Sequence, residues 1–147
     1  MLEVTIKKFE ELSTDELYAV LQLRSEVFVV EQDCVYQDLD GKDQKALHVI
    51  GSKDQAVVAY TRIFRPGDYF KEASIGRVVV RSSERQYGYG QKIMNASILG
   101  VEDFFNETVI HLSAQLYLKK FYDSLGFEQI GAEYLEDGIP HIGMLRK

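Results

Sequence analysis

The chain has 147 residues, of which 46% are hydrophobic and 27% charged, and its formal net charge is −6. This suits one globular domain over residues 1–147 with a sizeable core, and it argues against a broad nucleic-acid or anionic-membrane surface. The lone cysteine, Cys34, has no partner for an internal disulfide, and no Cys/His group has zinc spacing, so a metal-free protein of the reducing cytoplasm is the expectation. Met1–Phe9 lacks the apolar core of a signal peptide, and no run reaches the length of a membrane span.

Alternation of Leu2, Val4 and Ile6 with polar residues predicts a strand over residues 2–8. Ser13-Thr14-Asp15-Glu16 matches a capping box, and the helix after it carries Leu17, Val20, Leu21, Val27 and Phe28 on one face. Arg24 falls on the same face. A charge on a buried stripe needs a partner or a ligand, so Arg24 is either internally paired or turned toward a substrate. Residues 29–46 lose periodicity. Asp38, Asp40 and Asp43 gather around Gly41, but the bidentate Glu that closes a calcium loop is missing. The stretch is either a substrate-facing loop or a solvated connection.

Leu47–Gly51 and residues 55–64 predict two strands of a hairpin around Lys53-Asp54, and Ser74–Arg81 predicts the next strand. After Gly90 a helix places Ile93, Met94, Ser97, Ile98, Val101, Phe104 and Phe105 on one face. Thr108–Leu112 is apolar enough for a central strand. Ala114–Leu125 predicts a second amphipathic helix, ended by Gly126. Phe127–Ile130 and Ile139–Leu145 predict two closing strands around Glu136-Asp137-Gly138. This order is that of an α/β protein with a mixed sheet and helices on its faces.

The chemistry concentrates where Val78-Val79-Val80 runs into Arg85-Gln86-Tyr87-Gly88-Tyr89-Gly90 and then into a helix. Glycines let a backbone approach an anion closely, and N–H groups at a helix N-terminus favour phosphate. Arg77, Arg81, Arg85 and Lys92 stand against Glu84 alone, a local charge of +3 within a chain of −6. Position 93 is Ile, so the third glycine of a dinucleotide fingerprint is missing, as is the Gly-Lys-Ser/Thr end of a Walker loop.

Arg85 to Gly90 resembles the Q/R-x-x-G-x-G/A motif of the GNAT superfamily of acetyl-CoA-dependent N-acetyltransferases. Lys120-Phe121-Tyr122-Asp123-Ser124-Leu125-Gly126-Phe127 resembles that family's second hallmark, and the order of elements is similar over essentially the whole chain. Runs such as Leu23–Gln32, Tyr36–Gly41, Ile75–Val78 and Glu136–Met144 resemble its ElaA-type subfamily.

The resemblance implies a GNAT (acyl-CoA N-acyltransferase) fold: a bent mixed sheet of six or seven strands, helices on both faces, splayed between strands 4 and 5. It implies acetyl-CoA as co-substrate in the splay and direct acetyl transfer to a primary amine, on a small molecule or a peptide, within a ternary complex. The alternative is an acyl-CoA-binding sensor with little or no turnover. Either fits a monomer or a homodimer, with no nucleic-acid or membrane partner. By the family's roles Val78, Val79 and Val80 run beside the pantetheine arm. Arg85, Gln86, Tyr87, Gly88, Tyr89, Gly90 and Gln91 hold the pyrophosphate. Gln115 stands near where the family usually has Asn, two helical turns before Tyr122.

Tyr122 is the candidate general acid, protonating the departing CoA thiolate. An alkylamine of pKa about 10.4 is mostly protonated at neutral pH, and removing its proton costs roughly 4–5 kcal/mol there. A base is therefore expected, with Glu31, His111 and His141 as candidates. His111 lies near the C-terminal end of its strand, where α/β sheets gather ligands. Arg24, Arg77 and His141 are candidate contacts to the acceptor.

Overall fold

The computed structural model describes all 147 residues. In chain order its main elements are β1 (Glu3–Lys8), α1 (Thr14–Arg24), β2 (Leu47–Lys53), β3 (Ala56–Phe64), β4 (Ala73–Val80), α2 (Tyr89–Phe105), β5 (Ile110–Gln115), α3 (Lys119–Asp123), β6 (Glu128–Glu136) and β7 (Ile139–Arg146). The strands form one seven-stranded sheet, ordered β1-β2-β3-β4-β5-β7-β6. No helix is long and apolar enough to cross a membrane.

The capping box forms as its residues dictate. Ser13 Oγ accepts from the Glu16 N–H at 3.0 Å, and the Glu16 carboxylate accepts from the Ser13 N–H at 2.9 Å. Such a cap typically stabilises a helix by about 1 kcal/mol. From Ser25 to Glu31 the helix widens into a π-helix, which leaves Val27 and Phe28 buried and delivers Glu31 and Gln32 to the edge of the sheet.

Strand alternation sends side chains to two cores. Val20, Leu23 and Phe28 of the first helical segment pack on Ile50, Tyr60 and Val79. On the other side Ile93, Met94, Ile98 and Val101 of α2 pack on Val49, Ala59, Ile63 and Ile75. Phe104 departs from its expected inward position and is 52% exposed, while its neighbour Phe105 packs against the core. Ile75 and Val79 share parity along β4 yet lie in opposite cores. A β-bulge causes the switch. Arg62 faces Gly76 and Tyr60 faces Val79, so Thr61 alone opposes Arg77 and Val78. Arg77 takes a positive φ of 49°, a conformation a non-glycine residue adopts at a cost of about 1 kcal/mol or more.

β4 and β5 are parallel and paired only at Ala73↔Ile110 and Ser74↔His111. Beyond that point each continues alone, β4 to Val80 and β5 to Gln115, and the sheet splays. The expected helix over residues 114–125 is shorter than its periodicity suggests. Ser113, Ala114 and Gln115 pair with Gly143, Ile142 and His141 of β7, so a free strand edge extends β5 by three residues. A 3-10 turn, Leu116–Leu118, then leads into the five-residue α3. The closing hairpin is also longer than expected, since β6 runs to Glu136 and turns at Asp137 and Gly138.

Candidate active site

The splay opens a cleft of about 560 Å³. Val78, Val79 and Val80 line one side, and Leu112, Ser113 and Gln115 of β5 line the other. Backbone alternation aims β4 into it. The Arg81 N–H bonds the Val58 carbonyl at 2.8 Å, which turns the N–H and C=O of Val80 to the free edge. The Val80 carbonyl accepts from Arg85 Nε at 3.0 Å on that edge.

At one end of the cleft stands the N-terminus of α2. Gly88 is left-handed at φ 73°, which only a residue without Cβ adopts readily, and it carries the turn from the 3-10 segment Ser82–Tyr87 into the helix. No side chain caps α2, and its first turn holds no acid, so its leading N–H groups are available to an anion. Gly90 lines the cleft. A Cβ there would meet only ordinary contact with Phe121 at 3.5 Å, so the fold itself does not demand glycine. This edge, turn and helix end fit an extended thioester ending in pyrophosphate.

The expected binding residues divide. Val78, Val79, Val80, Arg85, Gly90 and Gln91 line the cleft. Gln86 and Tyr87 face solvent, and Tyr87 lies under the Lys53 ammonium at 4.2 Å. Tyr89 is buried at 3% exposure and does not line the cleft. Gln115 lines the cleft from the end of β5, not from a helix shared with Tyr122. Its amide reaches Gln32 at 3.4 Å.

Tyr122 stands on α3, 5% exposed, with its ring edge-on to Phe121 and Phe127, and it lines the cleft. Burial, with a smaller effect from the Tyr117 phenol, pushes its hydroxyl well above the ordinary phenol range. It therefore stays a proton donor at any physiological pH.

The acceptor contacts need correction. Arg24 is fully buried and does not line the cleft. Its Nε donates to Asp38 at 2.9 Å and its terminal nitrogen to Asp43 at 2.8 Å. Arg62, which sequence reasoning passed over inside a strand, donates to Asp40 and Asp43 at 2.9 Å. Arg77 does line the cleft, but Asp38 engages it too: Nε stands 2.7 Å from Oδ1, and a terminal nitrogen donates to the Asp38 carbonyl at 2.9 Å. The acidic loop around Gly41 is thus the counter-charge of three arginines. Burial pushes the Asp43 carboxyl up, but the hydrogen bonds from Arg24 and Arg62 outweigh it and hold it below the ordinary range. His48 closes the network. Its Nε2–H donates to the Asp43 carbonyl at 2.9 Å, so Nδ1 accepts from the Tyr60 hydroxyl at 2.6 Å.

The local +3 of the loop is likewise offset from afar. Arg85 pairs with Glu31, and Arg81 stands 3.5 Å from Glu26. Glu31 lines the cleft bound to that arginine. His111 does not line it. Because β5 is longer than expected, His111 falls at the start of the strand, 3.0 Å from Glu72 and stacked on Phe70. His141 does line it. The ring donates from Nδ1 to the Ile139 carbonyl at 2.7 Å, which leaves the lone pair on Nε2, 3.5 Å from Glu136. Phe28, Tyr36, Tyr117 and Glu136 also line the cleft and carried no site signal in the sequence: Phe28 and Tyr117 fall within expected amphipathic helices, Tyr36 in the stretch without periodicity and Glu136 in a hairpin turn. Cys34 lines it as well, with Sγ 3.4 Å from the Asp137 carbonyl.

A mixed sheet splayed beside a bulged strand, with a bare helix N-terminus at one end of the gap, is the architecture of acyl-CoA-dependent acyltransferases. The acetyltransferase (GNAT) domain family model matches residues 10–147. Protein ElaA of Escherichia coli is 42% identical over 149 residues, spanning 100% of this chain and 97% of that protein. The crystal structure of E. coli ElaA superposes with a TM-score of 0.93, covering 100% of both chains. That of an acyl-CoA N-acyltransferase from Pseudomonas aeruginosa superposes at 0.94, with 42% identity and 100% of both chains covered. The chain belongs to the GNAT acetyltransferase family, on its ElaA-like branch.

Proposed function

We propose that the protein is an N-acetyltransferase that moves an acetyl group from acetyl-CoA directly to a primary amine in a ternary complex. One observation carries this reading: a single cleft gathers the free edge of β4, the Gly90 helix N-terminus and the buried phenol of Tyr122. Acetyl-CoA supplies an activated acetyl thioester. The rest is the work of the chain. Arg85, Gly90 and Gln91 hold the pyrophosphate with the first N–H groups of α2, and β4 aligns the arm through the N–H groups of Val78 and Val80, the latter on the free edge. Such a donor also favours charge developing on the acetyl carbonyl oxygen.

His141 is the base of this proposal. Its free Nε2 takes the ammonium proton. The neutral amine nitrogen then forms the C–N bond as the C–S bond breaks, Tyr122 gives its proton to the leaving sulfur, and the nitrogen gives its second proton to the Tyr122 phenolate through solvent, leaving the neutral amide. His141 releases its proton before the next turnover. Glu31, the sequence-derived base candidate, serves better as the resting partner of Arg85. A free Cys34 fits a cytoplasmic setting.

The test is a thermal shift with acetyl-CoA followed by thiol release across a panel of amines. Stabilisation with amine-dependent thiol release supports the transferase. Stabilisation without release from any amine favours an acyl-CoA sensor, and no stabilisation removes both.

A further inference from the structure

The charges of the cleft narrow the acceptor, given the acyl-transfer reading above. Arg24, Arg62 and Arg77 are matched by Asp38, Asp40 and Asp43, three cations against three anions. Glu136 and Asp137 add two carboxylates to the cleft wall that no Lys or Arg pairs. Glu136, about half exposed, accepts from Ser113 Oγ at 3.3 Å and also borders a second hollow of about 50 Å³ that shares Gly76, Arg77 and Ser113 with the cleft. Ser74, 1% exposed, borders that hollow with a buried hydroxyl that has no hydrogen-bond partner. Arg62 borders it too with an unpartnered Nε–H, its charge already answered by Asp40 and Asp43. Asp137 lies near the half-buried Tyr36, whose phenol burial, Asp38 and Asp137 together raise against the pull of Arg77.

We propose that the acceptor is a small primary amine bearing a second positive charge, of the diamine class, and that Glu136 and Asp137 select it. One ammonium reacts. The other is met by the carboxylates of Glu136 and Asp137 on the cleft wall beside Tyr36, with the unpartnered Ser74 hydroxyl in the adjoining hollow that Glu136 borders. An amine bearing a carboxylate meets two like charges instead, which is how a site rejects a wrong partner.

The experiment compares kcat/KM by thiol release for three four-carbon amines: putrescine, n-butylamine and γ-aminobutanoate. Putrescine is expected about tenfold above butylamine, and aminobutanoate about tenfold below it. Asp137→Asn and Glu136→Gln should each compress the putrescine-to-butylamine ratio severalfold while the thermal shift with acetyl-CoA stays as in the native protein. Equal rates for the three amines, or preference for aminobutanoate through Arg77, overturns the assignment. If acetyl-CoA neither stabilises the protein nor turns over, the transferase reading fails on its own. Calorimetric titration of putrescine then decides the inference: binding that Glu136→Gln weakens sustains it, and no binding overturns it.

Discussion

Arg85 grips Glu31 with both terminal nitrogens, at 2.5 and 3.0 Å, across the mouth of the cleft. The guanidinium that would hold a phosphate is thus already occupied by a carboxylate from the π-helix. Both side chains are substantially exposed, so the pair adds no more than about 1 kcal/mol to stability. Arg85→Ala should leave the urea midpoint nearly unchanged and weaken acetyl-CoA about tenfold, the weight of a charge-assisted contact. Glu31→Gln should tighten acetyl-CoA severalfold and keep kcat. Titration calorimetry and steady-state kinetics check both, and a collapse of kcat in Glu31→Gln would restore Glu31 as the base.

The two glycines of the loop should separate when replaced. Gly88→Ala forces a side chain into φ 73° and should cost about 1 kcal/mol of stability. Gly90 is inside the first turn of α2 with room for a methyl group. Gly90→Ala should therefore stabilise the fold by up to about 1 kcal/mol while weakening acetyl-CoA, because the methyl group stands where the pyrophosphate approaches. Thermal melts with and without acetyl-CoA read both effects.

The arginine network makes stability depend on acid. Arg24→Ala removes the buried guanidinium that Asp38 and Asp43 share, leaving them to Arg77 and Arg62, and should cost about 3 kcal/mol by urea unfolding. The Asp43 carboxyl is depressed in the folded state, so its contribution is complete above the unfolded value of about 3.9 and is lost as pH falls below that toward the folded value. In Arg24→Ala the midpoint of acid unfolding should move to higher pH. The alkaline side has the opposite sign. Burial raises Tyr36 to about 12, so its contribution is complete below the unfolded value of about 10 and fades as pH rises through about 12. Circular dichroism against pH checks both limbs.

Local signals in the sequence were reliable where the structure is also local. The Ser13–Glu16 capping box, the Gly88 turn and the inward face of α2 from Ile93 to Val101 all stand as their residues predict. The misses are long-range. Nothing near Arg24 announces Asp38 and Asp43, which reach it through a loop without periodicity. The β5 extension depends on β7, a strand formed almost thirty residues later, so the helical spacing of Ala114–Leu125 misled and carried His111 and Gln115 to the wrong places. The bulge at Arg77 adjoins Gly76, a glycine inside a strand, which is a bulge signal the strand pattern alone overrode. Glu136 sat in what reads as a plain acidic turn, until the hairpin folded it over Ser113.

The central claim places Tyr122 at the sulfur of acetyl-CoA as the acid of the transfer. The direct measurement is kcat in Tyr122→Phe beside acetyl-CoA affinity in the same variant. The hydroxyl is raised by burial with no hydrogen bond contributing, so its removal should leave folding and affinity nearly unchanged. The account predicts that kcat falls about a hundredfold or more while affinity holds. Full turnover in Tyr122→Phe would contradict it.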